Sequence, residues 1–404
     1  MLLKPDHISA RELLLSKVSP VASEKLPLAD CAGRVLASEL LAAENVPSFD
    51  RSAYDGYALR AADLAAASDH SPVTLSITEE IPAGLVSKHP VKAGTAAKIL
   101  TGAKLPEGAD AVVRFEDTRF DSETVTFFSP VKSGANVIGI GEDVRRGQRL
   151  AAAGTVIDAG LAGTLAAQGV SEPTVFRRPV IGIISTGSEL VEANMPEPMG
   201  KIRNSNRYTL AAAVKKLGCD SVYLGTAGDS AEEIAALLNK GLAKCDTIII
   251  TGGVSVGDYD LTPDAIERIG TQMLFRGVAV KPGMACAYAV KDGKLICGLS
   301  GSPASSLTNF YVLACPALKK LCGLKDFMPE KIKVALSTDF RKKSPMTRFL
   351  RGRLSLKSGR AEIELLPDQG NQVLSSAIGM DMLALVPGGS GPLAAGTELE
   401  GYLL

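Results

Sequence analysis

The sequence contains no tryptophan, and aromatic residues make up only 5% of its 404 positions, which leaves few rings on which single-stranded bases could stack. Neither sign of charge predominates, since Lys plus Arg and Asp plus Glu both total 44. Without a net field the chain has nothing to draw it onto nucleic acid or an anionic membrane. No stretch reaches the ~18 uninterrupted apolar residues that cross a bilayer. The opening MLLKPDHISARELLLSKV is broken by Asp6, Arg11 and Glu12 and lacks the apolar centre and cleavage site of a secretory signal. The expected location is therefore cytoplasmic.

Histidine is scarce in a more informative way: His7, His70 and His89 are the only three. A Ser-His-Asp triad or an imidazole-bound zinc is excluded from everything after residue 89. The seven cysteines show no Cys-x-x-Cys spacing and read as small core residues. Chemistry in the later part must run on carboxylates, hydroxyls, Lys, Arg, backbone amides or a hard metal ion.

What is present is a globular composition, 46% hydrophobic and 22% charged, long enough for two to four domains at roughly 100–200 residues each. Ile8 to Val18 has helical spacing, and LPLADCAGRVLASEL from Leu26 reads as an extended entry followed by a short helix. From Asp50 to about Gln148, runs such as Val73–Ile77, Ala109–Arg114 and Thr124–Phe128 alternate with Gly, Pro and Asp turns, the texture of a small β domain. Ala159 to Gln168 reads as a helix that could rejoin the N-terminal helices, making the β segment an insertion. After Arg178, strands and helices alternate, with helices Tyr208–Leu217 and Ala231–Leu242, strands Thr247–Thr251 and around Met273–Val280, and a long helix from Pro303 to about Leu321, which predicts a doubly wound, mostly parallel sheet. Met328 to Leu404 returns to short strands. The expected architecture is thus α/β plus β. It comprises a helical platform (1–49 with 144–177), an inserted β domain (50–143), an α/β domain (178–325) and a C-terminal β domain (326–404).

Two predicted strand ends carry similar loops, Ser185-Thr186-Gly187-Ser188-Glu189-Leu190 and Thr251-Gly252-Gly253-Val254-Ser255-Val256-Gly257-Asp258-Tyr259-Asp260. Their glycines let backbone N–H groups approach a ligand, their hydroxyls can bond phosphate oxygens, and Glu189 and Asp260 are placed to hold Mg²⁺. One such loop can be merely a tight turn; two on one sheet favour a site. Neither is a Walker A loop or a GxGxxG fingerprint. Asp229 ends a third strand and would reach the same edge, although an Asp before a helix is more often an N-cap. Lys281 in VAVKPGM and the turn Ser300-Gly301-Ser302-Pro303 follow later strands, and Lys281 could neutralise a bound anion. Arg276, Arg348 and Arg351 are further cations that could reach it.

The runs DRSAYDGYALR, ILTGAKLPEGADAVV, GEDV, STGSEL, NSNRYTLAAAVKKLG, GGVSVGDYD, AVKPG and LSGSPASS, in this order, resemble the molybdopterin molybdenumtransferase (MoeA) family, which includes the gephyrin E domain. The resemblance spans Leu26 to Ser376. It implies a four-part homodimeric subunit whose α/β domain binds molybdopterin. The implied reaction inserts molybdenum from molybdate into adenylylated molybdopterin, with Mg²⁺-dependent release of AMP. Functional positions of the family match Asp55, Thr101, Asp143, Glu189, Asp229 and Asp260. An upstream molybdopterin adenylyltransferase and molybdoenzyme apoproteins are the implied partners.

Three places depart from the family pattern. Leu299-Ser300-Gly301-Ser302-Pro303 stands where Leu-Pro-Gly-Asn-Pro is usual, Met284 interrupts KPGKP, and Gly277 replaces a frequent Lys or Arg. They bear on anion preference or rate more than on fold. Two other readings stay open: an adenylyltransferase, which shares the α/β domain but normally lacks the flanking β parts, and a non-catalytic molybdopterin-binding scaffold.

Overall fold

Strand and helix alternate after Arg178 as the residue pattern predicts. The computed structural model describes residues 2–255, 260–357 and 359–404. Seven strands form one sheet in the order Leu2–Leu3, Gln272–Arg276, Cys286–Lys291, Lys294–Leu299, Thr247–Thr251, Val180–Thr186 and Asp220–Ala227. The last four named run parallel to one another, and Cys286–Lys291 is antiparallel to both neighbours. The sheet is buried on both faces, which explains the near-continuous apolar strands. Ile249 packs with Leu210, Val214, Leu307 and Phe310 of the helices on one side. Ile248 and Ile250 pack with Ile234, Leu238 and Ile266 on the other. Each such side chain contributes roughly 1.5–3 kcal/mol on burial.

Contacts gather the chain into two compact units, residues 1–38, 153–158 and 172–404 in one, and 39–152 with 159–171 in the other. The first also contains a C-terminal sheet of Val280–Lys281, Thr347–Lys357, Arg360–Leu365, Lys331–Leu336, Glu398–Leu403 and Met382–Val386. Thr347–Lys357 pairs with both Arg360–Leu365 and Met382–Val386, so five of these strands close on themselves. Closure leaves those strands without the open edges that invite aggregation. Arg351 is fully buried inside this part, its guanidinium donating to Ser376 Oγ and to the carbonyls of Asp368 and Gly370.

The second unit holds a six-stranded sheet ordered Ala111–Arg114, Gly56–Leu59, Thr95–Ile99, Val73–Ile81, Thr124–Phe127 and Thr118–Phe120. Period-two alternation sends Tyr57 and Leu59 to one core and Ala58 to another. The helix Ala159–Ala167 belongs to this unit, where the Gln168 side chain exchanges hydrogen bonds with the backbone of Glu44.

Three expectations need correction. LPLADCAGRVLASEL forms only the 3₁₀ turn Leu28–Asp30, and Val35 and Leu36 then bridge to Val156 and Val175. Gly33, at φ +75, breaks any helix there. The run around Met273–Val280 is not one strand. Gly277, also at φ +75, divides it into Gln272–Arg276 and Val280–Lys281, which join different sheets. The long helix from Pro303 widens into a π turn over Phe310–Ala314 before Cys315–Leu321, consistent with Pro316 having no N–H to donate to the preceding turn.

Candidate functional site

The carboxyl ends of the four parallel strands open into a cleft of ≈ 630 Å³, the place where open α/β sheets bind ligands. Each strand delivers its terminal loop to the wall. Thr186, Gly187 and Glu189 follow one strand, and Gly228 and Asp229 another. Thr251, Gly252, Gly253, Ser255 and Asp260 follow a third, and Ser300, Gly301, Ser302 and Pro303 a fourth. The cleft therefore brings together nearly all the residues the loops nominated in this unit. Ser188 is exposed beside it, its carbonyl accepting from Lys201 Nζ at 2.7 Å. Gly257 lies outside the described residues.

The loops are held by close backbone approach. Gly252 sits at φ +104, where a Cβ would come within 2.4 Å of Thr186 Oγ1 and 2.7 Å of Thr186 O. Only glycine fits there. Thr186 Oγ1 donates to Thr251 O at 3.3 Å, and Thr262 Oγ1 fastens Gly252 O at 2.9 Å.

The floor comes from residues that sequence reasoning passed over. Asn206 Nδ2 donates to Thr251 Oγ1 at 2.9 Å and Gly301 O at 2.8 Å, joining two strand-end loops. Asn204 caps the helix Ser205–Lys216 by accepting from Arg207 N, and its amide reaches Ser185 Oγ at 2.9 Å. An Asn-Ser-Asn run before an apolar helix is a capping signal, so the helix starts three residues before the expected Tyr208. Arg203 and Asn371 also line the cleft. Arg203 pairs with Glu197 at 2.6 Å.

Lys281 lies differently. It is exposed and pairs in the sheet with Arg348, while its neighbours Val280 and Pro282 line the cleft. Arg348 is buried against Ser344 Oγ and the Phe340 ring, so it and Arg351 are committed to the C-terminal sheet. Arg276 is half-buried.

Glu189, Asp229 and Asp260 all line the cleft, although no three His, Cys, Asp or Glu groups among the described residues converge to metal-ligand distance. The donors still fit Mg²⁺: all are oxygens, and this ion typically takes one or two carboxylates, several waters and a substrate phosphate.

In the second unit, Asp55 and Thr101 meet. Asp55 Oδ1 accepts from Thr101 N and Thr101 Oγ1, each at 2.7 Å. These bonds, the backbone N–H first and the hydroxyl second, hold the Asp55 carboxyl below its ordinary value. Stability from this pair is present above the unfolded carboxyl's pKa and is lost as pH falls through the lowered one. Thr101→Val removes the hydroxyl and is expected to move the Asp55 titration midpoint upward, read by NMR of its side-chain carboxyl carbon. An unchanged midpoint would show that the hydroxyl does not hold the charge. Asp143 is exposed, with its backbone N–H on Val46 O at 3.0 Å.

Three family models match successive stretches of the chain. The MoeA N-terminal region (domain I and II) matches residues 7–169, a probable molybdopterin binding domain matches 182–320, and the MoeA C-terminal region (domain IV) matches 333–404. The chain belongs to the MoeA family. A molybdopterin molybdenumtransferase of Staphylococcus aureus (strain Mu50) is 34% identical over 97% of this chain and 93% of its own length. Another, from Staphylococcus epidermidis, is 36% identical over 94% and 91%. Among solved structures, a molybdopterin biosynthesis MoeA protein from Pyrococcus horikoshii OT3 aligns with TM-score 0.84 and 30% identity over 99% of this chain and 100% of that one. The MoeA architecture and the resemblance drawn from the eight motifs thus agree. No helix among the described residues is long and apolar enough to cross a membrane.

Proposed function

We propose that this chain is a molybdopterin molybdenumtransferase of molybdenum cofactor biosynthesis, transferring molybdenum from molybdate to adenylylated molybdopterin with release of AMP. The cleft is the observation that carries the reading. Its ≈ 630 Å³ suits a nucleotide-sized ligand, and its wall combines two glycine loops, several hydroxyls and three carboxylates, with no imidazole or thiol among the described lining residues. Full-length likeness to MoeA proteins, both flanking β regions included, favours this over an adenylyltransferase confined to the α/β domain. The relatives' transferase activity likewise favours catalysis over a scaffold role.

Each group then has a role. The Gly253 N–H, with Ser255 and the Ser300–Pro303 turn, would bind phosphate oxygens, while the N–H groups of Gly187 and Gly252 hold the loops by donating to Ala227 O at 3.1 Å and Leu299 O at 3.0 Å. Glu189, Asp229 and Asp260 would hold Mg²⁺, which when bound offsets the negative charge of the phosphates. Asn206 keeps the loops in register. Arg203 and Lys281 are the cations at this edge for the molybdate dianion. Asp55, Thr101 and Asp143 enter by family resemblance, as do the homodimer and exchange with an adenylyltransferase and molybdoenzyme apoproteins, and the proposal extends to a cytoplasmic setting and the four-part domain division.

The test is AMP release from adenylylated molybdopterin with and without molybdate and Mg²⁺. Release that requires both is expected. An enzyme that instead made adenylylated molybdopterin from ATP, or released no AMP under any condition, would replace this reading.

A further inference from the structure

All seven cysteines are buried and free, and two of them meet. Cys219 follows the helix Ser205–Lys216 across the turn Leu217-Gly218, and Cys322 caps the helix Cys315–Leu321. They are 103 positions apart in the chain, yet their Sγ atoms lie 3.3 Å apart. Cys322 Sγ also reaches Leu217 O at 3.7 Å. Neither thiol lines the cleft, so the proposed reaction has no use for them.

Their place in the fold is specific. The helix Ser205–Lys216 starts at the cleft with Asn204 and Asn206, and the long helix starts there with Ser302 and Pro303. The bond from Asn206 Nδ2 to Gly301 O joins the two near ends. Leu210, Val214, Leu307, Phe310, Leu313 and Leu318 pack between them in one core. The thiols meet at the two far ends.

A second cavity, of ≈ 230 Å³, is lined by Lys216, Leu217, Cys315 and Lys319 among others. Leu217 is therefore both part of this cavity's wall and the carbonyl partner of Cys322. A small uncharged oxidant has space to come within one residue of the pair. The hydrogen bond with Cys322, reinforced by burial, holds the Cys219 thiol far above its ordinary value.

We infer that Cys219 and Cys322 form a reversible redox site, a dithiol that hydrogen peroxide converts to a disulfide tying together the far ends of the two cleft helices. In the first step Cys322 Sγ attacks one peroxide oxygen as its S–H proton is given up, the O–O bond breaks, and the departing hydroxide takes up that proton as water. Cys322 is now a sulfenic acid. The Cys219 sulfur then attacks the Cys322 sulfur, the S–O bond breaks, and the oxygen departs as water with the Cys219 proton. Two thiols and one peroxide give one disulfide and two waters. Closing from 3.3 Å to the roughly 2.05 Å of a disulfide asks each sulfur to move by about 0.6 Å, within a small χ1 adjustment.

The experiment uses the reduced full-length chain. It is exposed to a few equivalents of hydrogen peroxide, then unfolded in the presence of an alkylating reagent and mapped by mass spectrometry without reduction. Two of the seven thiols should escape alkylation, one peptide pair should join Cys219 to Cys322, and dithiothreitol should reverse both. Oxidised chain should unfold several degrees higher than reduced chain, because the bond closes a loop of about 100 residues in the unfolded state. Cys219→Ser should abolish the cross-link and the thermal shift. Seven alkylated thiols after peroxide, sulfinic acid at Cys322 in the wild-type chain, or a disulfide between other cysteines would overturn the assignment. The wild-type map decides the matter even if the variant does not fold.

Discussion

Asp260→Asn is expected to lower AMP release from adenylylated molybdopterin by about a hundredfold or more while leaving the unfolding midpoint close to that of the parent chain. The substitution preserves shape and removes one negative charge from the cleft wall that Asp260 shares with Glu189 and Asp229. A carboxylate that helps hold Mg²⁺ against a phosphate acts where charge is developing, and deleting one preorganised electrostatic partner costs roughly 10²–10³ in rate. Mg²⁺ titration supplies the diagnostic readout. The variant should need a higher Mg²⁺ concentration for half-maximal turnover, and added Mg²⁺ should restore part of the rate. Unchanged release with unchanged Mg²⁺ dependence would remove Asp260 from the metal assignment. Equal loss at every Mg²⁺ concentration would give it a role in binding or positioning the substrate.

Gly252→Ala is the second large effect, and it comes from sterics rather than charge. At φ +104 an alanine is already in a region that L-residues avoid, and its Cβ would lie 2.4 Å from Thr186 Oγ1 and 2.7 Å from Thr186 O. Thr186 is the buried last residue of a central strand, so the two strand ends must part. Backbone strain of about 1–3 kcal/mol is expected, together with a displacement of the phosphate-binding loop that costs about a hundredfold in turnover. Gly270→Ala is the control. Gly270 has φ +74 but nothing within 4 Å of a Cβ, so it should show the backbone cost without loss of turnover. Measured by thermal unfolding and AMP release together, equal turnover in the two alanine variants would contradict the close approach at Gly252.

Much of this was legible in the residues because the signals are local. Helix Ala231–Leu242 and strand Thr247–Thr251 lie where periodicity places them, since one is an amphipathic run begun by a Ser230 cap and the other a short β-branched run. The glycine loops after Ser185 and Thr251 were visible for the same reason, as turns with hydroxyls and a carboxylate at fixed offsets. Asn204 and Asn206 were present in a quoted motif but had no assigned role. Their value depends on Ser185, Thr251 and Gly301, which belong to other strands.

Sequence alone determined the class of chemistry and the family. The absence of histidine after residue 89 left carboxylates, hydroxyls, Lys, Arg, backbone amides or a hard metal ion as the candidate groups there, and eight ordered motifs pointed to MoeA. Tertiary structure alone decided which of the nominated residues share one cleft. Parallel strands adjacent in space are distant in sequence, so only the sheet order sets Gly187, Asp229, Gly252 and Gly301 around one opening. It also buried Arg348 and Arg351 in the C-terminal sheet, left Lys281 exposed at the rim, and brought Asp55 to Thr101 and Cys219 to Cys322. Such pairings arise from packing across long chain separations, where local propensity carries no information about which side chains will meet.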